Sequence, residues 1–269
     1  MISQEQISQY HEKGYLLLEN YFTPKEVSLM NSQLTLLMQD DGPRKIIESN
    51  GEIRSYYGAH QMNNIYNEVA RVRKLVEPVK QILDSDIYIH QTKVNFKKAL
   101  KGNWWEWHQD FPYWNLEDGM PLPRVTSVMI YLDDVTEFNG PLMVIPGSHK
   151  LGIVSFEDKQ QSEEEVSYTG ANLKYTIGRS ILTKGFEDNN VVSTIGKAGS
   201  VLFFHGNIFH ASNCNMSPFD RRTYIITYNS VENTLNNVGK ERPEFLSERN
   251  FSPLQALENE WYQNAEITS

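Results

Sequence analysis

A single cysteine, Cys214, among 269 residues excludes an intrachain disulfide and any zinc site built from several thiolates. Basic charge is also scarce: 25 Lys and Arg against 34 Asp and Glu leave a formal net charge of −9. Sequence-independent nucleic-acid binding needs clustered cations against phosphate, and so does an anionic membrane surface, so neither partner is expected. A small anionic ligand stays open, because one or two pocket arginines suffice. No apolar run approaches the roughly 18 residues of a membrane span. The opening Met-Ile-Ser-Gln-Glu-Gln has neither the basic nor the apolar region of a signal peptide. The expectation is a soluble, reduced, cytoplasmic protein. Its composition, 39% hydrophobic and 22% charged, is ordinary for a globular chain, and its length fits one large domain. No internal repeat, low-complexity tract or linker divides it.

What the chain does contain is capped helices followed by alternation. Ser3 with Gln6, and Thr23-Pro24-Lys25-Glu26, have capping-box spacing, and Gly14 stands where a C-cap falls. The pattern predicts helices over 3–14, 23–38 and 68–83, the last kinked or divided at Pro78. A short buried strand follows the first helix, and 40–58 reads as a polar excursion. From 86 the period becomes two. Ile87, Ile89, Gln91, Lys93 and Asn95 share one face; Tyr88, His90, Thr92, Val94 and Phe96 share the other. Periodicity alone leaves two readings of the odd face, a wet pocket or bulk solvent. Residues 125–132 alternate again, Ser127, Met129 and Tyr131 against Thr126, Val128, Ile130 and Leu132. Strands follow over 142–145, 200–205, 208–212 and 222–230, and Ser252-Pro253 caps a closing helix. The irregular 151–195, with Glu163-Glu164-Glu165, reads as a lid or specificity loop. Many short strands between terminal helices predict a mainly β sandwich or barrel with flanking helices. One domain is expected: N-terminal helices 1–85, a core 86–230 and a helical tail 231–269.

The chemistry concentrates in the aromatic stretch from Trp104 to Trp114. On an extended strand His108 and Asp110 point to one face, as two of the three ligands of a 2-His-1-carboxylate facial triad. Such a triad leaves three adjacent positions on an octahedral ion, Fe(II) above all, for a bidentate organic acid and O2. With 7 His and 34 acidic residues in 269, chance alone supplies roughly one His-x-Asp/Glu. A third ligand is therefore needed, from His149, His205 or His210. His149 sits in Pro-Gly-Ser-His-Lys, where a structural role is the plain reading. His210 is favoured because Ser212 follows on its face and Arg221 comes after a hairpin-sized interval. An arginine there grips a carboxylate with two hydrogen bonds. Spacing does not choose between Arg221 and its neighbour Arg222. The tryptophans read equally as core or surface aromatics, Asn95 and Ser127 as partners of backbone groups, and His11, His60 and His90 as incidental.

These residues carry a resemblance. His108-Gln109-Asp110, the run from Asn139-Gly140-Pro141 to Ser148-His149-Lys150, and His210-Ala211-Ser212 followed by Arg221 resemble the phytanoyl-CoA dioxygenase family of iron(II)/2-oxoglutarate oxygenases. Trp107 to Phe111, with Glu117-Asp118-Gly119-Met120-Pro121, is most similar to its ectoine hydroxylase branch, itself similar to hydroxylases of free amino acids such as leucine. The resemblance spans 14–228 and is densest over 91–150. It implies a double-stranded β-helix, the cupin-like jelly roll, and a hydroxylase that consumes O2 and turns 2-oxoglutarate into succinate and CO2. It implies iron on His108, Asp110 and His210. It places 2-oxoglutarate on Arg221, with Asn95, Ser127 and Ser212 assisting and Trp105 alongside, and substrate near Gln91, Lys93 and Trp114. It also turns the odd face of the strand at 86 into the pocket. Retention of Asp110 implies hydroxylation, because halogenases of this type give up the carboxylate to seat chloride. Lys93 stands where the ectoine pattern has an arginine, and Asn115 where a histidine follows Trp114. The expected substrate is therefore a small molecule of the free aliphatic L-amino acid class, such as leucine. The alternatives are ectoine or a natural-product scaffold and, least in keeping with the residues, a non-catalytic metal-binding jelly roll.

Overall fold

The computed structural model describes residues 1–156 and 173–258. The chain opens with α1 (Gln4–Lys13), β1 (Tyr15–Leu18), α2 (Pro24–Ser32) and α3 (Leu34–Leu37). A hairpin of β2 (Lys45–Ile47) and β3 (Ile53–Tyr57) leads to α4 (Ala59–Met62), α5 (Asn64–Val69) and α6 (Arg73–Leu83). Then come β4 (Ile87–Lys97), β5 (Trp105–His108), α7 (Phe111–Asp118), β6 (Val125–Tyr131) and β7 (Leu142–Val144). A 3-10 turn (Ser148–Leu151), α8 (Arg179–Asp188), β8 (Val192–Ser193), β9 (Val201–His205), β10 (His210–Ser212) and β11 (Arg221–Ser230) follow.

The strands make two antiparallel sheets, ordered β1-β9-β6-β11-β4-β3-β2 and β5-β10-β7-β8. Met129, Tyr131, Leu202, Phe204 and Ile225 of the larger sheet share one buried cluster with Leu142 and Val144 of the smaller. The sheets thus close face to face as a double-stranded β-helix. The outer face of the larger sheet is covered by helices: Val128, Ile130, Phe203, Tyr224 and Ile226 pack with Tyr10, Met30, Tyr66, Val76 and Val79. Each fully buried aliphatic or aromatic side chain contributes about 1.5–3 kcal/mol relative to exposure. The alternation of 125–132 is the reason this sheet is buried on both sides, one set of side chains serving each core.

Both expected capping boxes are formed, and Gly14 closes α1 in the left-handed region at φ 80°. α6 buries Leu75, Val76, Val79 and Ile82 on one stripe and carries Pro78 internally. Proline has no N–H to give the carbonyl four residues back; that carbonyl, of Lys74, instead accepts the Tyr21 hydroxyl at 2.6 Å.

Several expected boundaries differ. The helix expected over 23–38 is interrupted at Gln33, and the one over 68–83 is two helices separated by 70–72. The polar excursion 40–58 contains β2 and β3, so the N-terminal 85 residues add three strands to the larger sheet. The hairpin hid because Arg54, 1% exposed, is buried against Glu48 and the Trp104 carbonyl instead of facing water. Residues 231–258 contain no helix, so none starts at Ser252-Pro253. Residues 259–269 and the acidic Glu163, Glu164 and Glu165 lie outside the described residues. Within 173–195 the chain forms α8 and β8. No described helix is long and apolar enough to cross a membrane.

β4 departs from simple alternation in a way that matters below. Ile89 pairs with Tyr228 and Gln91 with Thr227, leaving His90 as an extra residue. Such a bulge reverses parity. Ile87 and Ile89 join the helix-side core, whereas Gln91, Lys93 and Asn95 face the barrel interior.

Candidate metal centre and active site

β5 and β10 bring the two histidines together, since His108 and His210 are direct partners in that ladder. Their ring centroids are 4.1 Å apart. Each ring is oriented through Nδ1: His108 lies 2.6 Å from the Glu106 carbonyl, and His210 lies 3.0 Å from that of Ile208. A donating Nδ1 leaves Nε2 as the lone-pair nitrogen, aimed at a common point. The His108 Nε2 is 3.5 Å from Asp110 Oδ1, and the His210 Nε2 is 3.8 Å from Oδ2. The three residues are buried and offer ligand atoms all within 4.8 Å of one another, a set one metal ion can bridge. Asp110 reaches this point otherwise than expected. β5 ends at His108, and Asp110 is the helical-φ/ψ N-cap of α7, followed by Pro112 in the first turn.

Electrostatics prepare the three as ligands. Burial alone would raise the Asp110 carboxyl, but the Lys93 ammonium and the two imidazoles hold it below the ordinary carboxylate range. Burial, with His108 alongside, pushes His210 down to about 3, so its imidazole is neutral near pH 7. His149 and His205 lie elsewhere: the Nε2 of His149 is 3.0 Å from the His11 carbonyl, and the two rings are 5.0 Å apart. His60 stands 2.8 Å from Thr92 Oγ1, also away from the triad.

Two cavities meet at Lys93, Trp105, His108 and Asp110. The first extends to Asn95, Ser212 and Arg221, with Met129, Leu142, Phe204 and Ile225 as its apolar wall. The buried Arg221 donates to the Gly140 carbonyl, and its Nε has no hydrogen-bond partner among the described residues. Burial pushes this guanidinium down to about 10. A buried cation with an open donor suits a carboxylate. Strand parity turns Arg222 the other way, where its side chain binds Asp133 at 2.7 and 2.6 Å. Asn95 Oδ1 accepts from Ser55 at 2.8 Å. Ser127 lines neither cavity; its hydroxyl is 3.0 Å from Thr227 Oγ1, the cross-strand neighbour on the same face.

The second cavity extends to Gln91 and Trp114 as expected, and to Tyr57, Tyr113, Leu173, Arg242 and Leu246, which sequence reasoning missed. No local signal marks these five. Tyr57 ends the overlooked hairpin, and Arg242 and Leu246 belong to the tail. Gln91 Nε2 donates to the Leu246 carbonyl at 2.6 Å. Asn115 donates to the Met120 carbonyl and lines neither cavity, so of the two departures from the ectoine pattern only Lys93 touches the site. Trp105 and His108, three apart, line both cavities because the β5–β10 register slips between them. The Arg54 guanidinium lies 3.6 Å over the Trp105 ring and fixes it from behind.

Comparison with known proteins places this geometry. The family model of phytanoyl-CoA dioxygenase matches residues 10–223. Ectoine dioxygenase of Nocardia farcinica is 33% identical over 263 residues, covering 94% of this chain and 87% of that one. L-proline trans-4-hydroxylase of Streptomyces griseoviridis is 34% identical over 251 residues, covering 91% and 92%. The crystal structure of EctD from S. alaskensis with 2-oxoglutarate and 5-hydroxyectoine superposes with a TM-score of 0.83 at 32% identity, over 96% of this chain and 88% of that one. The same protein with bound Fe superposes at 0.81, with 31% identity and the same coverage.

Proposed function

Because this chain belongs to the phytanoyl-CoA dioxygenase family and is an iron(II)/2-oxoglutarate-dependent dioxygenase, we propose that it hydroxylates ectoine. Ectoine dioxygenase and L-proline trans-4-hydroxylase are relatives of nearly equal identity, and both named substrates are small nitrogen-containing rings bearing a carboxylate. That likeness moves the expectation away from leucine. His108, Asp110 and His210 would hold the iron. Arg221 would take the far carboxylate of 2-oxoglutarate, with Asn95 and Ser212 beside it and Trp105 packed alongside. When bound, the metal and cosubstrate supply the oxidant that places one atom of O2 in a C–H bond, while 2-oxoglutarate becomes succinate and CO2.

The protein's own contribution on the substrate side is charge and shape. Arg242 offers a guanidinium to the substrate carboxylate. Trp114, Tyr113, Tyr57, Leu173 and Leu246 surround the ring and exclude water, and Gln91 supplies an amide. Lys93 stands where the two cavities join, its charge directed at Asp110. The observation that carries this reading is the pair of cavities meeting at His108 and Asp110 of the triad, one lined by Arg221 and the other by Arg242.

A second reading, a free amino acid, is favoured by the proline hydroxylase relative. Incubation with iron, 2-oxoglutarate and O2 separates the two, with product mass and succinate as readouts. Ectoine gaining one oxygen is the expected result. L-proline or L-leucine gaining it in place of ectoine supports the second reading. Oxidation of an acyl-CoA thioester, with none of the three small molecules reacting, overturns both.

A further inference from the structure

The Glu117-Asp118-Gly119 corner at the end of α7 takes no part in holding metal or 2-oxoglutarate, yet the half-buried Glu117 and the buried Asp118 and Gly119 are engaged in two directions. Towards one side, Glu117 accepts from Lys174 Nζ at 2.8 Å and from the Tyr175 hydroxyl. The Tyr175 amide donates to the hydroxyl of Tyr113, on the same helix, at 3.1 Å. Towards the other, Asp118 binds Arg242 with both oxygens, at 2.7 and 2.6 Å. The His90 Nε2, brought in by the β4 bulge, lies 3.2 Å from Asp118 Oδ2. Gly119 has φ 78° and accepts from the Asn236 amide at 2.9 Å; a Cβ there would overlap the Asn236 carbonyl.

The two gripped segments supply Leu173 and Arg242 to the second cavity, and Leu246 follows a few residues on. Residues 231–258 form no helix or strand of their own. The ends of this segment are tied to β4 and its surroundings, through the Val231 amide on the Asp86 carbonyl and the Glu248 and Leu254 amides on the His90 and Ile87 carbonyls. Around 236–242, contacts on the cavity side come from this corner.

We propose that Glu117-Asp118-Gly119 is a two-sided clamp that positions the wall of the substrate cavity, holding 173–175 with Glu117 and 236–242 with Asp118 and Gly119. Asp118 is a positioning residue acting through Arg242: two parallel hydrogen bonds fix the plane of the guanidinium and thus the edge it presents to the cavity. The kinetic part rests on the assignment of that cavity to substrate; the structural part does not.

The test is Asp118→Asn, read by amide hydrogen exchange and by steady-state kinetics with ectoine and 2-oxoglutarate. Exchange is expected to quicken over 236–249 while 87–97 and 221–230 stay as protected as in the parent chain. The KM for ectoine rises by about 10-fold or more, the loss of a charge-assisted contact, while that for 2-oxoglutarate stays within about two-fold. Because Asp118 acts through Arg242, Asp118→Asn added to Arg242→Gln worsens that KM no further. Unchanged exchange over 236–249, or effects of the two changes that multiply, overturns the clamp. Should Asp118→Asn fail to fold, Glu117→Gln takes its place: faster exchange over 173–178 supports the proposal and unchanged exchange there overturns it. If the parent chain does not oxidise ectoine, the functional proposal fails, and the exchange data alone decide the clamp.

Discussion

The two halves of the active site are built from different materials. Around Arg221 every lining residue except Asp110 sits on a strand, drawn from β4, β5, β6, β7, β9, β10 and β11. Around Arg242 the wall includes Tyr113 and Trp114 of α7, and Leu173, Arg242 and Leu246 belong to no helix or strand. Ladder hydrogen bonds fix the first half, so its side chains cannot shift without loss of sheet register. Strands also supply Tyr57, Gln91, Lys93, Trp105 and His108 to the second, but the rest of its wall is fixed by contacts between α7 and connecting segments. One scaffold can therefore keep its oxidising centre while the substrate wall changes, since the wall lies on segments whose alteration leaves the barrel paired.

Breaking the shared boundary has the largest expected effect. Asp110→Ala removes a proposed iron ligand and abolishes succinate and product formation together, while the thermal midpoint moves by no more than about 5 °C. Turnover retained with weakly held iron would place the ligand elsewhere. A sharper probe of the first half is the Arg221/Arg222 pair. Arg222→Ala, which cuts a half-buried pairing with Asp133, is expected to cost roughly 1 kcal/mol of stability in denaturant unfolding. It should leave the KM for 2-oxoglutarate unchanged. A raised KM in this variant would mean that strand parity assigns the wrong arginine.

The smallest effect lies outside both halves. Burial pushes His205 down to about 3, against about 6.5 in the unfolded chain. The unfolded state therefore takes up the proton first, so this group's contribution to stability is fully present above about pH 6.5 and is lost as pH falls towards 3. Between pH 7 and 5 the thermal midpoint of the parent chain should fall more steeply than that of His205→Asn, by roughly 2–4 °C. Parallel curves would show that His205 is protonated within the fold.

The same contrast explains what was legible. Local spacing marks His108 and His210 as candidates, because strands convert spacing into direction, and the capping signals of α1 and α2 do the same for helix starts. Asp110 joins them from the N-cap of α7, and Arg221 is told from Arg222 only by strand parity. Spacing fails at the bulges: an extra residue at His90 moves Ile87 and Ile89 to the other core, and the slip in β5 lets Trp105 share a cavity with His108. Ser127 lies on the inward face as expected, but its hydroxyl is already engaged with Thr227. Arg242 was invisible for a different reason. Its position follows from a buried acid on α7, and no periodicity in the tail reports a contact made so far along the chain.

The most direct measurement of the division into two halves is a crossed pair of KM values. Arg221→Ala is expected to raise the KM for 2-oxoglutarate by about 10- to 100-fold and that for ectoine by less than about two-fold, with Arg242→Gln giving the reverse. Equal effects on both ligands in either variant would contradict it.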